Sequence, residues 1–517
     1  MKFSGTALLL LAAAASLAHS QTAGPCASNP PFADWSAKPS WNGWGAGMTN
    51  ARFQTAAGAQ LAPDQASHLK LKWAFGFPGA KAVYGQPTVV GGRVFVGVDT
   101  GDVYSIDAAS GCSYWSFHAS DGVRSAITIG SGKDGGASLA YFGDLKGNVY
   151  ALNAASGEPV WKVQVDSHPA AHITGAPQLY QNRLYVPVAS NEEALAVDAA
   201  YPCCSFRGSV VALDAFTGRQ IWKTYIIPEA PRPTTKNAKG TQQYGPSGGG
   251  VWNSPTIDPQ RHALYIGTGD AYTEPAPKMT DSILALDLDS GKILWAVQDL
   301  AGDAWVVSCI QGRGTPENCP KDAGPDFDFG ASPILRTLPN GKTILVAAQK
   351  SGIIWAHDPD HKGAVLWKTS VSSKTAPPQG QVNFGGSADE RSAYFGLDSG
   401  GIVSLSLTNG ERQWFTDIQP ESGRHGGDDA AVSTMPGVLF SGGWDGILRA
   451  LSTTDGKILW TFDTLRDFET VNGVPAKGGS IGASGPTVAG GMLFAGAGYP
   501  GVQDGRNGNV LLAFAAE

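Results

Sequence analysis

Two aspartates, Asp326 and Asp328, stand in the run Pro325-Asp326-Phe327-Asp328-Phe329-Gly330. On an extended segment, residues two apart share a face, so both carboxylates could address one ion. A hard cation asks for such oxygen ligands. A second acidic pair, Glu192-Glu193, follows Val188-Ala189-Ser190-Asn191, and Asp270 closes Gly267-Thr268-Gly269-Asp270. Taken alone, the Glu pair also reads as a solvated acidic turn. Asp303, in Gly302-Asp303-Ala304-Trp305, is one more carboxylate in the same stretch of chain.

The cysteines carry a different chemistry. Cys203 and Cys204 are adjacent and can pair only through an eight-membered ring; the alternative is two free thiols in a buried strand. Cys309 and Cys319 bracket a Gly- and Pro-containing loop, which suggests a local staple. Cys26 and Cys112 are left as a pair holding an N-terminal arm. Six cysteines in this pattern fit an oxidising compartment. No Cys-x-x-Cys-His occurs, so no covalent haem is encoded.

The elements that must position these groups are written in a repeated phrase. A hydrophobic pair, Asp or Asn, a Gly turn and then Trp recur at Ile106-Asp107…Gly111…Trp115, Leu152-Asn153…Gly157…Trp161, Leu213-Asp214…Gly218…Trp222 and Leu286-Asp287…Gly291…Trp295. Looser copies end at Trp367, Trp414 and Trp460, and Trp73 stands where an earlier copy would finish. The alternating apolar run before each Asp predicts a strand with one buried face. The Asp/Asn-x-x-Ser/Thr-Gly segment predicts a hairpin turn, because Asp and Asn bond their own backbone and Gly accepts positive φ. Trp spacings of 42 to 73 residues leave room for about four strands per unit. The expectation is an all-β, eight-bladed propeller in which each Trp presents its flat face to a neighbouring sheet. The last strand, Val510 to Phe514, is expected to pair with N-terminal strands and close the ring.

Composition agrees. Charged residues make up only 16% and glycines number 68, which suits tight turns and buried strands. The net charge of −7 argues against a nucleic-acid surface, whose signature is a basic face. Residues 1–20 read as an export signal: Lys2, the short apolar run Ala7 to Ala18, and small residues before Gln21. That run is too short to span a bilayer. Residues 21–40 read as an N-terminal arm and 41–517 as the propeller. Pro228 to Gly245 looks like a connector. The expected location is exported, periplasmic or extracellular.

The phrases Trp41-Asn42-Gly43-Trp44-Gly45, Leu71-Lys72-Trp73-Ala74-Phe75-Gly76-Phe77-Pro78-Gly79, Tyr201-Pro202-Cys203-Cys204-Ser205-Phe206-Arg207-Gly208-Ser209 and Gly245-Pro246-Ser247-Gly248 carry a family resemblance. The chain resembles the pyrroloquinoline quinone (PQQ) dependent alcohol dehydrogenase propellers, above all their polyvinyl-alcohol dehydrogenase branch, without the cytochrome c domain that several of those carry. The resemblance implies a flat orthoquinone with three carboxylates, held between Trp252 on one face and a Cys203–Cys204 disulfide on the other. It implies Arg124 on a quinone carboxylate, Thr174 as a hydroxyl donor and Lys350 beside the reactive carbonyl. It implies a cation, calcium or a lanthanide, acting as a Lewis acid, with Glu192 (chosen over Glu193 by register), Asp270, Asp326 and Asp328 as ligands. Asp270 stands where the family usually has Asn.

For the general base the resemblance points to Asp326, by counting back from Pro333, with Asp303 as the alternative. Tyr84 stands where the family makes an early carboxylate contact, and the Gln379 to Asp389 stretch matches only loosely. The implied reaction is hydride transfer from an alcohol, secondary or polymeric, with electrons passed to an external acceptor such as a separate cytochrome c. The competing reading is a non-catalytic secreted propeller serving as a binding scaffold, since fold alone does not decide function. A hydrolase using His168, His172 or His425 on a metal has no ligand spacing in its favour.

Overall fold

In the computed structural model, described for residues 24–32, 35–371, 382–420, 424, 426–500 and 505–516, the alternating runs become strands that pair antiparallel in chain order. The leader at residues 1–20 and His425 lie outside the described residues. Eight sheets of four or five strands result. Blades 1 to 7 span residues 88–118, 128–164, 171–225, 256–298, 334–370, 387–416 and 433–463. Blade 8 is built from both ends of the chain: Thr487–Ala489, Met492–Ala497 and Val510–Ala516 are completed by Leu69–Gly76 as the outermost strand. Leu69 pairs with Ala516 and Gly76 with Val510, so the ring closes as expected. The Pro228 to Gly245 connector forms its own hairpin, Arg232–Lys236 on Gln242–Gly245.

The repeated phrase has a physical reason at each of its positions. Asp107 Oδ1 accepts from Ser110 N (2.8 Å) and Oγ (2.7 Å), and Asp214 and Asp287 do the same with Thr217 and Ser290. The turn glycines Gly111, Gly157, Gly218 and Gly291 have φ of 68 to 78°. A Cβ on any of them would also strike the indole of the preceding blade: Trp73, Trp115, Trp161 and Trp222 in turn. Each of those indoles donates its Nε1–H to a turn carbonyl beside that glycine, as in Trp73 to Ala108 O (3.0 Å) and Trp115 to Ala154 O (3.1 Å). Trp460 completes the circuit by bonding Leu69 O at 3.0 Å.

The axis is filled by residues 41–54. This segment bonds the innermost strand of every blade, in ring order. Trp41 N–H donates to Val89 O and Asn42 Nδ2–H to Ile129 O. Gln178 Nε2–H donates to Gly47 O at 3.4 Å, and the N–H groups of Ile257, Leu335 and Ala388 donate to Met48, Thr49 and Ala51 carbonyls. Gln54 reaches Thr434 O through its backbone and Val488 O through its side chain. Buried Arg52 donates to Val432 O (2.8 Å), Trp44 O (2.7 Å) and Ala431 O (3.2 Å), with Trp41 and Trp44 stacked near its guanidinium. The three disulfides are Cys26–Cys112, Cys203–Cys204 and Cys309–Cys319, as the sequence suggests.

Arg52→Ala would leave two buried carbonyls and one half-buried carbonyl without this donor, a loss of roughly 3 kcal/mol. The expected outcome is an earlier thermal unfolding transition by calorimetry; an unchanged transition would remove Arg52 from this role.

Candidate active site

The innermost strand of a blade and the strand after it run in opposite directions, so the lead-in to the first and the exit from the second lie on one face of the ring. Eight residues, each four positions before the start of an innermost strand, line the central cavity on that face or the narrow space beneath it: Tyr84, Arg124, Thr174, Trp252, Gly330, Asn383, Asp429 and Ala483. Exits from second strands add Glu193, Asp270, Lys350 and Tyr499. The cavity holds about 530 Å³.

On one side stand Asp270, Asp326 and Asp328, with one carboxylate oxygen from each within 4.8 Å of the others. Asp328 Oδ1 accepts from Asp270 N–H (2.8 Å) and its Oδ2 from Trp252 Nε1–H (2.9 Å). Lys350 Nζ is 2.6 Å from Asp326 and 3.3 Å from Asp328. Asp270 Oδ2 is buried and has no hydrogen-bond partner. Burial raises the Asp326 carboxyl to about 7 although Lys350 pulls it down. It raises Asp270 well above the ordinary range, reinforced by Asp328 and Asp326. Burial works against the Lys350 charge, but Asp326, Asp328 and Glu193 outweigh it and hold the ammonium well above its usual range. Three crowded carboxylates and an orphaned buried oxygen form a donor set for a hard cation.

Trp252 lies across the cavity wall with Lys350 Nζ 5.4 Å from its ring centre. Its fit requires Gly330, where a Cβ would lie 1.9 Å from the indole. Thr174 Oγ1 donates to Trp252 O at 3.4 Å. Arg124 projects beside Phe384 and Tyr499, 5.5 and 5.6 Å from their ring centres, and has no ion-pair partner among the described residues. His172 is held neutral, pushed down to about 3 by burial and the Arg124 charge. The wall thus offers cations and a flat aromatic surface to a planar polyanion.

The structure separates some sequence expectations. Glu193, not Glu192, faces the cavity. Glu192 is fully buried and turned into the 201–206 loop, accepting from Ser205 N, Phe206 N (2.8 Å) and Tyr201 OH (3.0 Å). Glu193 is pushed up to about 8 by burial, against the pull of Lys350 and with Asp326 and Asp328 adding to the rise. The Cys203–Cys204 disulfide is buried with Phe206, Tyr272 and Val306; Tyr272 reaches the cavity wall and the disulfide does not. Asp303 also stays out of the cavity lining, accepting from Asp326 N (3.3 Å) and Phe327 N (2.9 Å). It holds the Asp326–Phe327 backbone in place.

Asn383, Asp429 and Tyr499 are cavity residues that the sequence reading missed. The position four residues before each innermost strand, once the repeat is aligned, would have found the first two. Gln379, in the loosely matching stretch, lies outside the described residues.

A profile of the family "Glucose/ethanol/alcohol dehydrogenase, beta-propeller domain" matches residues 41–307. The chain is 39% identical over 516 residues to a polyvinylalcohol dehydrogenase of a Pseudomonas sp., covering 95% of this chain and 79% of that one. It is 38% identical to a polyvinylalcohol dehydrogenase of a Sphingopyxis sp., with the same coverage. This chain belongs to the PQQ-dependent alcohol dehydrogenase family. Among solved structures, quinohemoprotein alcohol dehydrogenase from Comamonas testosteroni superposes with a TM-score of 0.68 at 19% identity, covering 92% of this chain and 80% of that one. A profile of the outer membrane protein assembly factor BamB also matches residues 205–431 and 398–517. Similarity along nearly the whole chain at high identity is to the dehydrogenases.

A cation held by Asp326 and Glu193 requires both to lose their protons, so its affinity for the quinone-free protein should climb between about pH 6 and 9 and then level off. Calorimetric titration at both values would show this. Glu193→Gln should weaken cation binding about tenfold or more, whereas Glu192→Gln should chiefly lower thermal stability, with a loss on the order of 1–3 kcal/mol.

Proposed function

We propose that this chain oxidises an alcohol to an aldehyde or ketone with PQQ seated in the 530 Å³ cavity. The observation that carries this is the convergence of an Asp270–Asp326–Asp328 cluster, Lys350, Trp252, Arg124 and Thr174 on one cavity. A calcium or lanthanide ion suits Asp270, Asp326 and Asp328, with Glu193 alongside. Bound there, PQQ supplies the hydride acceptor and the cation a Lewis acid.

The chain's own residues do the rest. Trp252 presents a flat face, and Arg124 offers its unpaired guanidinium to an anionic rim. Asp326 accepts the hydroxyl proton as hydride leaves the carbinol carbon; a carboxyl near 7 suits a base working at neutral pH. Lys350, 2.6 Å away, favours the ionised form of that base. Electrons then leave to a separate acceptor such as a cytochrome c, and the leader supports export. The names of the relatives favour secondary and polymeric alcohols as substrates.

Reconstitution of the purified protein with PQQ, calcium or a lanthanide, an artificial dye and a panel of alcohols tests the reading. Dye reduction requiring both quinone and metal is expected. Asp326→Asn should lower turnover by about 10²–10⁴ while keeping quinone binding, and Trp252→Ala should weaken quinone binding instead. Absence of quinone binding in the disulfide-bonded protein would overturn the reading in favour of a binding scaffold, towards which the second profile match points.

A further inference from the structure

Nine large apolar side chains are exposed among the described residues, and six of them lie on outermost strands of blades. Ile310 is different: it is 39% exposed and lines the mouth of the cavity, as does the exposed Arg313. Leu195, also 39% exposed, stands on the helix Glu192–Leu195, which packs against the turn Val307–Cys309 just before Ile310. The floor beneath holds buried Asp270 and Asp328 and the half-buried Asp326.

The loop carrying Ile310 and Arg313 is built to hold still. Cys309–Cys319 staples its base, and Asn318 Nδ2–H donates to Ala196 O (3.1 Å), Asp198 O (2.9 Å) and Tyr201 O (3.3 Å). Its tip is seated too: Thr315 N–H donates to Val197 O, and Gly314, at φ 78°, lies so close to Val197 that a Cβ would sit 2.7 Å from it. The loop is therefore fastened to the same segment that supplies Glu193.

We propose that this stapled loop is the specificity lip of the site, with Ile310 packing on the carbon chain of the alcohol beyond its reacting carbinol and Arg313 donating to a neighbouring hydroxyl. An apolar side chain next to a multivalent donor suits a chain that alternates methylene and hydroxyl-bearing carbons. The lip would favour polyhydroxylated chains over alcohols with a single short carbon skeleton. This deepens the alcohol-oxidation reading and rests on it for the place of the reacting carbinol.

The test compares wild type, Ile310→Ser, Ile310→Leu and Arg313→Ala, each loaded with PQQ and metal, on 2-propanol and on a short vinyl alcohol oligomer. Oligomer binding is measured by calorimetry on the same proteins, independently of turnover. Ile310→Ser should raise the oligomer KM and Kd about tenfold, as expected when an aliphatic contact is lost, with kcat and quinone affinity within about twofold. Ile310→Leu should restore wild-type values, and Arg313→Ala should raise the oligomer KM about threefold. The 2-propanol KM should stay within about twofold throughout. Equal shifts for both alcohols, or oligomer binding unmoved by any substitution, would overturn the lip while leaving the quinone reading standing. Weakened oligomer binding in Ile310→Ser, in protein that never turns over, would uphold the lip and sink the quinone reading instead.

Discussion

Eight twisted sheets arranged around an axis leave a hole lined by the innermost strands, whose polar groups would be buried there without partners. The fold depends on filling that hole. Residues 41–54 do so by exchanging hydrogen bonds with the innermost strand of each blade in turn, and Arg52 supplies donors to carbonyls that no strand can reach. A buried guanidinium is costly to desolvate, and burial lowers its pKa to about 9. Flanking indoles and several acceptors make the position tolerable. With the axis sealed in this way, the face that carries the carboxylate cluster opens into a cavity of about 530 Å³.

That face gathers charge against the usual preference of a protein interior. Asp270, Asp326, Asp328 and Glu193 outnumber Lys350, and burial makes their mutual repulsion expensive. Rigid strands on both sides fix the segments that carry them, so the carboxylates cannot relax apart. The chemistry and the repulsion have one origin: a carboxylate cluster that is uncomfortable on its own is poised to be neutralised by a cation.

Much of this was legible in the chain. The Asp–Gly–Trp phrase specified the blades because each of its residues answers a separate physical need: a turn bond, a positive φ with no room for a Cβ, and a flat ring to cover that glycine. Asp326, Lys350, Trp252, Arg124 and Thr174 were singled out by the family resemblance, and all five line one cavity. Glu192 and Glu193 were harder to tell apart, because neighbouring residues on a one-turn helix point about 100° apart and the phase of that helix is set by tertiary packing. The place of the Cys203–Cys204 disulfide was hidden for a related reason: it is decided by the apolar neighbours Phe206, Tyr272 and Val306, two of which are remote in sequence. Asn383 and Asp429 carry no motif of their own and emerge only when the eight lead-in segments are placed in register.

Closure of the ring by strands from opposite ends of the chain ties its assembly to its biogenesis. The pairing of Leu69 with Ala516 joins residues about 450 positions apart, so the eighth blade cannot form until the strand Val510–Ala516 has been made. Long-range pairing of this kind is slow and comes late. Until then, the strand Leu69–Gly76, whose Leu69 O is the acceptor for Trp460, lacks the neighbour it pairs with in blade 8. A propeller with this topology stays open and threadable until Val510–Ala516 meets Leu69–Gly76, and only then becomes a locked ring.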